Sequence, residues 1–189
     1  MKKIKIQNQP FGPFPTMIIG ADVQGKPNYV TVGACGVVSM KPVLYVSLKS
    51  THYTTPGVRE NGYFSVNIPP VSLVEQTDYC GIVSGKTVDK SGLFTPFYDE
   101  LGKAPMIKEC SMGFLCKVIQ VIPLFDFEMF LGEIVAVYVN EDCVTDGKPD
   151  PLKLNPIIMM GASYYSLNEA IGNLFRTGGT LTNQSKTPD

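Results

Sequence analysis

Along the chain, apolar residues come in short runs that either alternate with polar ones or stay apolar for five to seven positions, and glycine or proline ends most of them. Residues 17–23 (MIIGADV) read as a strand. Gln24-Gly25-Lys26-Pro27 reads as a turn, with glycine where positive φ is cheap. Residues 28–38, rich in Val, Thr and Tyr, read as one returning strand. Pro42 breaks the pattern, and 43–49 (VLYVSLK) alternates as a third strand. A short helix follows, with Thr54 or Thr55 as its cap, Pro56 in its first position and Gly62 at its end. Residues 63–68 (YFSVNI) form the next strand, stopped by Pro69-Pro70, and Val71, Val74 and Thr77 give helical spacing over 71–80. A polar loop over 81–92 and an irregular stretch over 93–109 lead to the longest strands, 113–122 and 127–140. After a polar excursion over 141–154 come a strand over 156–160 and a helix over 166–175. The residues beyond about 178 read as a frayed, flexible polar end.

Six or seven strands with two or three short helices make a mainly β protein. A closed or nearly closed antiparallel barrel is the expected architecture, because closure removes exposed sheet edges. No linker or repeat divides the 189 residues, which read as one domain, 1–189.

Charge then narrows the partners. Sixteen Lys and Arg against 17 Asp and Glu leave a formal charge of −1, which gives no basic face for nucleic acid or for an anionic membrane surface. With 44% hydrophobic and 17% charged residues, the bulk of the chain is not disordered. The opening MKKIKIQNQP lacks an apolar core of the signal-peptide type, and no apolar run is long enough for a membrane helix. Five cysteines (Cys35, Cys80, Cys110, Cys116 and Cys143) with no C-x-x-C pair argue against a disulfide framework and a four-cysteine zinc site, and a single histidine argues against a His-rich metal site. The expectation is a soluble, reduced, cytoplasmic protein without a metal.

Common catalytic signatures are missing. There is no G-x-S-x-G elbow and no G-x-G-x-x-G, and GIVSGKT (81–87) is one residue short of a phosphate loop. Glu133 sits alone in an apolar strand and reads as a group facing water or a partner. No catalytic acid or base is assigned. Redox chemistry on a bound cofactor needs little such machinery, because the cofactor carries the reactive atoms.

Three clusters remain. Gly33-Ala34-Cys35-Gly36 removes bulk in mid-strand, which fits close packing or a bulge as well as it fits a flat ligand against backbone. Ser47 to Pro56 (SLKSTHYTTP) gathers hydroxyls, Lys49 and His52 ahead of a helix start, either a capped helix with a solvated approach or an anion site. Asp78 to Lys90 (DYCGIVSGKTVDK) offers Ser84, Gly85 and two lysines, either as an ordinary polar loop or as part of the same site. Cys110, Cys116 and Cys143 read as buried small hydrophobes, whereas Cys35 and Cys80 lie within these clusters and are candidates to contact a ligand.

These segments, in this order, resemble the flavin reductase-like family, and its flavoredoxin-type branch in particular. The resemblance rests on GKPN (25–28) with Thr31, VVS (37–39), VSLK (46–49), Tyr53-Thr54, GYFSVNIP (62–69), DYCG with Ser84-Gly85 and Asp89-Lys90, PMI with Glu109-Cys110, LCKV (115–118), LGEI (131–134) and Tyr165. It runs over roughly residues 10–178 and implies a split β-barrel that binds FMN non-covalently, usually as a homodimer. Carried over by position, Asn28, Thr31, Gly33, Ala34 and Cys35 would flank the flavin ring. Ser47, Leu48, Lys49 and Thr54 would serve the ring and the phosphate, with His52 and Tyr53 in the same loop. Cys80, Ser84, Gly85 and Lys90 would close over the ribityl-phosphate side. The implied activity is an oxidoreductase that takes hydride from NAD(P)H and passes electrons to free flavin, ferric iron or a redox protein. The alternatives are an electron carrier without a nicotinamide site and a non-redox flavin-binding module. Relatives often carry a Trp near the Gly33-Ala34 step, and this chain has none, so aromatic cover is expected from Tyr29, Tyr164 or Tyr165.

Overall fold

The computed structural model describes residues 1–6, 8, 10–39 and 41–179. The expected fray beyond 178 falls almost wholly outside these residues.

Seven strands build one antiparallel sheet: β1 (Met17–Val23), β2 (Lys26–Val32), β3 (Cys35–Ser39), β4 (Val43–Lys49), β5 (Tyr63–Ile68), β6 (Met112–Leu124) and β7 (Phe127–Val139). Their spatial order is β2-β1-β5-β6-β7-β4-β3. The two edge strands, β2 and β3, are consecutive in sequence and are joined by Gly33-Ala34 alone. So short a link forces the sheet to curl until its edges meet, which makes it a barrel with a seam. The run expected as one strand over 28–38 is therefore one extended path that changes partners. Tyr29 pairs with Gly20 on β1, whereas Cys35 pairs with Val46 on β4. At the seam the Ser47 amide donates to the Ala34 carbonyl at 2.9 Å.

Alternation sets the barrel interior. On β4, Leu44, Val46 and Leu48 point inward with Ile19, Ala21, Val30, Val32, Phe64, Val66, Cys116 and Phe130. The helix α1 (Thr54–Asn61) contributes Val58 to this core and ends at Gly62, whose φ of 67° is the left-handed cap read from the sequence. Pro56 lies third in the helix rather than first, a position where the missing N–H still costs no helical bond. The outer face of β1 and β2 is buried as well. Ile18 and Tyr29 pack with Cys80, Phe94, Ile107 and Cys110, beneath the helix α2 (Val74–Ile82) and the irregular stretch that follows it. The buried Asn67 ties that stretch to the barrel, since its amide donates to the Ile18 carbonyl (2.9 Å) and its oxygen accepts the Ile107 amide (2.9 Å).

The polar excursion contains a small hairpin (Val144–Thr145 with Lys148–Pro149) and one helical turn, α3 (Pro151–Leu154), capped by the Asp150 carboxylate. The strand β8 (Ile157–Met160) then pairs with Phe14–Pro15 and with β9 (Ser163–Ser166). The helix expected over 166–175 does not form. Tyr164 and Tyr165 pair across to Met159 and Ile158, and beyond them Ile171, Leu174 and Phe175 are exposed. A short amphipathic segment with nothing to pack on gains too little to nucleate a helix. Among the described residues no helix is long and apolar enough to cross a membrane.

Candidate flavin site

At the end of β4 the chain winds directly into α1. The Lys49 carbonyl accepts the His52 amide (2.9 Å) and the Thr55 hydroxyl (2.9 Å), and the His52 carbonyl accepts the Thr55 amide (3.2 Å). Tyr53, not a threonine, occupies the cap position, and it makes no side-chain capping bond. Thr54 is the first helical residue and is fully buried. Its hydroxyl accepts a 2.7 Å hydrogen bond from the Asn28 side-chain amide on β2. Thr54→Ala is expected to cost about 1–2 kcal/mol of apo-protein stability, because it leaves the buried Asn28 amide unpaired. Thr54→Ser should restore most of that loss in urea titrations.

From the other side, α2 and the loop after it close against this turn. The Thr31 hydroxyl donates to the Thr77 carbonyl at 2.5 Å and holds α2 to β2. Gly85 lies against the Tyr53 ring and the Asn28 side chain so closely that a Cβ would collide with both. Lys90 returns underneath, 4% exposed, with its ammonium donating only to the carbonyls of Val83 (3.2 Å) and Cys80 (3.4 Å). No carboxylate pairs with it among the described residues. Burial pulls its pKa below the ordinary lysine value.

These elements enclose a cleft of about 230 Å³, walled by Thr51–Thr54, Cys80–Gly85, Val30 and Lys90. A second cleft of about 270 Å³ shares Tyr53, Gly85 and Lys90 with the first and extends past Gln24, Lys26, Asn28 and Lys86–Asp89. A buried cation satisfied only by carbonyls, a threonine at a helix start and a half-buried histidine therefore face one space. That donor set suits a phosphate group. His52 is held below the usual histidine pKa by burial first, then by the charges of Lys49 and Lys90. Lys49 itself leans 3.5 Å from Asp126 on the β6–β7 turn.

Comparison with known proteins gives this arrangement a family. A flavin reductase like domain matches residues 12–167. The chain belongs to the flavin reductase-like family. A flavoredoxin from Methanosarcina acetivorans is 43% identical and superposes with a TM-score of 0.92 over 96% of this chain and 100% of that one. The flavoredoxin of Desulfovibrio vulgaris (Miyazaki F) is 33% identical, with a TM-score of 0.87 over 94% and 100%. A protein of Archaeoglobus fulgidus is 32% identical over 155 residues, 80% of this chain and 85% of that one. The split-barrel fold and a flavin-binding redox role follow from this membership.

Seven residues singled out in the sequence (His52, Tyr53, Thr54, Cys80, Ser84, Gly85 and Lys90) line the first cleft of this flavin reductase-like chain, and Asn28 lines the second. Thr31 acts behind the wall, through α2. Gly33, Ala34, Cys35, Ser47, Leu48 and Lys49 line neither cleft. The Cys35 and Leu48 side chains are in the barrel core, so only their backbone could meet a ligand, whereas Ser47 and Lys49 face outward. The open face of Gly33 is covered by Met159 and Phe14. Tyr29 is unavailable as aromatic cover, because it is fully buried and stacks edge-on against Phe94 at 5.3 Å. Tyr164 is engaged through its hydroxyl, which donates to Asp78 at 2.8 Å, and Tyr165 is exposed. Sequence reasoning missed Thr51, Ile82 and Val83 in the first cleft and Gln24 and Lys26 in the second. The turn around Gly25 carried no chemical signature that would have marked the last two.

All five cysteines are free and buried. Burial pushes the Cys80 thiol up to about 11 and that of Cys35 to about 12, and it raises the other three as well. A thiol-reactive disulfide reagent at pH 8 is expected to label the native protein slowly and to reach all five thiols only in denaturant. Fast labelling of a native thiol would show a reactive cysteine.

Proposed function

We propose that this protein is an FMN-binding oxidoreductase whose cofactor phosphate lies in the cleft between the 51–54 turn and the 80–90 segment. The observation that carries the reading is Lys90, a buried ammonium held by two carbonyls and by no carboxylate of the described residues, beside Thr54 and His52. A phosphate of roughly two negative charges offsets that arrangement. FMN, when bound, supplies the electron-accepting chemistry. The chain's share is to hold the phosphate, fix the ring's orientation and exclude water, and no side chain is assigned as a catalytic acid or base. In this reading NAD(P)H is the donor, and free flavin, ferric iron or a redox protein is the acceptor. The backbone of Gly33 to Cys35, with Ser47, Leu48 and Lys49, serves the ring side of the site.

The names of the two flavoredoxin relatives support a second reading, an electron carrier without a nicotinamide site. A homodimer belongs to both readings. Val37 on β3, Ile119 and Val121 on β6, and Val135 and Val137 on β7 are exposed apolar side chains that a second copy of the chain would cover in this reading. Light scattering is expected to give twice the chain mass.

The test is direct. Purified protein reconstituted with FMN should be yellow, bleach with dithionite and recover in air. Failure to retain FMN rejects the proposal. With FMN bound, steady oxidation of NADH or NADPH in the presence of free flavin or ferric acceptor supports the reductase. No turnover with either nucleotide, together with rapid electron exchange with a redox protein, supports the carrier.

A further inference from the structure

His52 is the only histidine of the chain, and the phosphate reading leaves part of it unexplained. Its backbone is held on both sides by the bonds to Lys49 and Thr55, and the residue lines the cleft wall. Its Nδ1 atom is buried and has no hydrogen-bond partner among the described residues. The charged groups around it are unusual for a histidine. Lys49 comes from the end of β4 and pairs at 3.5 Å with Asp126 of the β6–β7 turn, and Lys90 comes from beneath α2. The remaining titratable neighbours are neutral or engaged. The Cys80 thiol is protonated, and the Tyr53 hydroxyl donates to Gln24 at 3.3 Å. No carboxylate of the described residues contacts the ring. In the free protein a neutral imidazole is the least costly state, since protonation would add a third cation and an unpaired buried N–H.

A dianionic phosphate entering between the same groups reverses that balance. We propose that His52 takes up a proton when the phosphate of FMN binds, so that cofactor loading is coupled to pH through this ring. The inference rests on the cleft being the phosphate site and adds the ionisation that accompanies occupancy. The proton comes from solvent and adds to the imidazole, with no bond broken in the cofactor. At pH 7.5 the free phosphate is already largely dianionic, its second pKa being about 6, so uptake there must be on the protein. The linkage sign follows. Because the complex holds more protons than the free partners, affinity falls as pH rises, by up to about tenfold per pH unit over the range where His52 is neutral free and protonated bound.

Calorimetric titration of the apo-protein with FMN at pH 7.5, in two buffers of different ionisation enthalpy, counts the protons. Wild type is expected to take up a substantial fraction of one proton per FMN, His52→Gln none, and riboflavin, which lacks the phosphate, none with either protein. The dissociation constant of wild type should rise between pH 6.5 and 8.5, while that of His52→Gln stays flat. If FMN does not bind, the cofactor reading fails and the inference with it. If FMN binds without proton uptake, the cofactor reading stands and the inference is overturned. Uptake that persists in His52→Gln overturns it in favour of Lys90, and equal uptake with riboflavin overturns it in favour of the ring.

Discussion

Replacing Lys90 by methionine is expected to weaken FMN binding by about 1–3 kcal/mol, a loss of roughly 5- to 150-fold, as for one charge-assisted hydrogen bond. The same change should alter apo-protein stability little. In the free protein the Lys90 ammonium is buried against the carbonyls of Val83 and Cys80, with no carboxylate of the described residues to offset its desolvation. Removing it relieves that cost but leaves two carbonyls with one fewer donor, and the two effects oppose each other at about 1 kcal/mol each. Methionine keeps the apolar stem that fills the space, so packing changes least. FMN titration and urea denaturation on the same preparation separate the two quantities. Riboflavin affinity should be nearly unchanged, because the lost partner is the phosphate. Equal loss for riboflavin and FMN would move Lys90 away from the phosphate. Unchanged FMN affinity would remove Lys90 from the site.

Lys90 also shows where the sequence stops being readable. A lysine in a polar, glycine-containing loop reads as solvated, and nothing local announces that α2 and Gly85 bury it. The convergence of 51–54 with 80–90 became visible only through the order of short family-like segments, each weak alone. By contrast, the inward set Leu44, Val46 and Leu48 was legible at once, because a period of two over a half-buried strand leaves one choice of face. The seam at Gly33-Ala34 was not, since β-prone residues flank it and a change of strand partner leaves no mark on local propensity. The error over 166–175 has the same origin. Helical spacing of a few apolar residues says nothing of the surface they would need, and Ile171, Leu174 and Phe175 are exposed.

Gly57→Ala is the second large expected effect, and its sign is opposite to helix propensity. In an exposed helix interior this substitution adds about 1 kcal/mol of stability, because alanine loses less backbone freedom than glycine. Here Gly57 is buried where α1 crosses β1. A Cβ at this position would strike the Asp22 carbonyl and lie 2.9 Å from Val23 Cγ2. The carbonyl is backbone in a paired strand and cannot swing aside as a side-chain end would, so the helix must move. Moving α1 strains what it carries. Asn61 donates to the same Asp22 carbonyl at 2.8 Å, Thr54 accepts from Asn28, and Thr55 donates to Lys49. Overpacking of this kind costs about 1–3 kcal/mol or somewhat more, which outweighs the propensity gain. Net destabilisation in urea is therefore expected, together with weaker FMN binding, since Thr54 and the preceding turn form one wall of the cleft. Glu60→Ala, on the exposed side of the same helix, should change neither by more than about 0.5 kcal/mol. A Gly57→Ala protein as stable as wild type, with full FMN affinity, would mean that α1 does not rest on β1 as closely as the positions of Asp22 and Val23 require. The link between helix packing and cofactor affinity would then be lost.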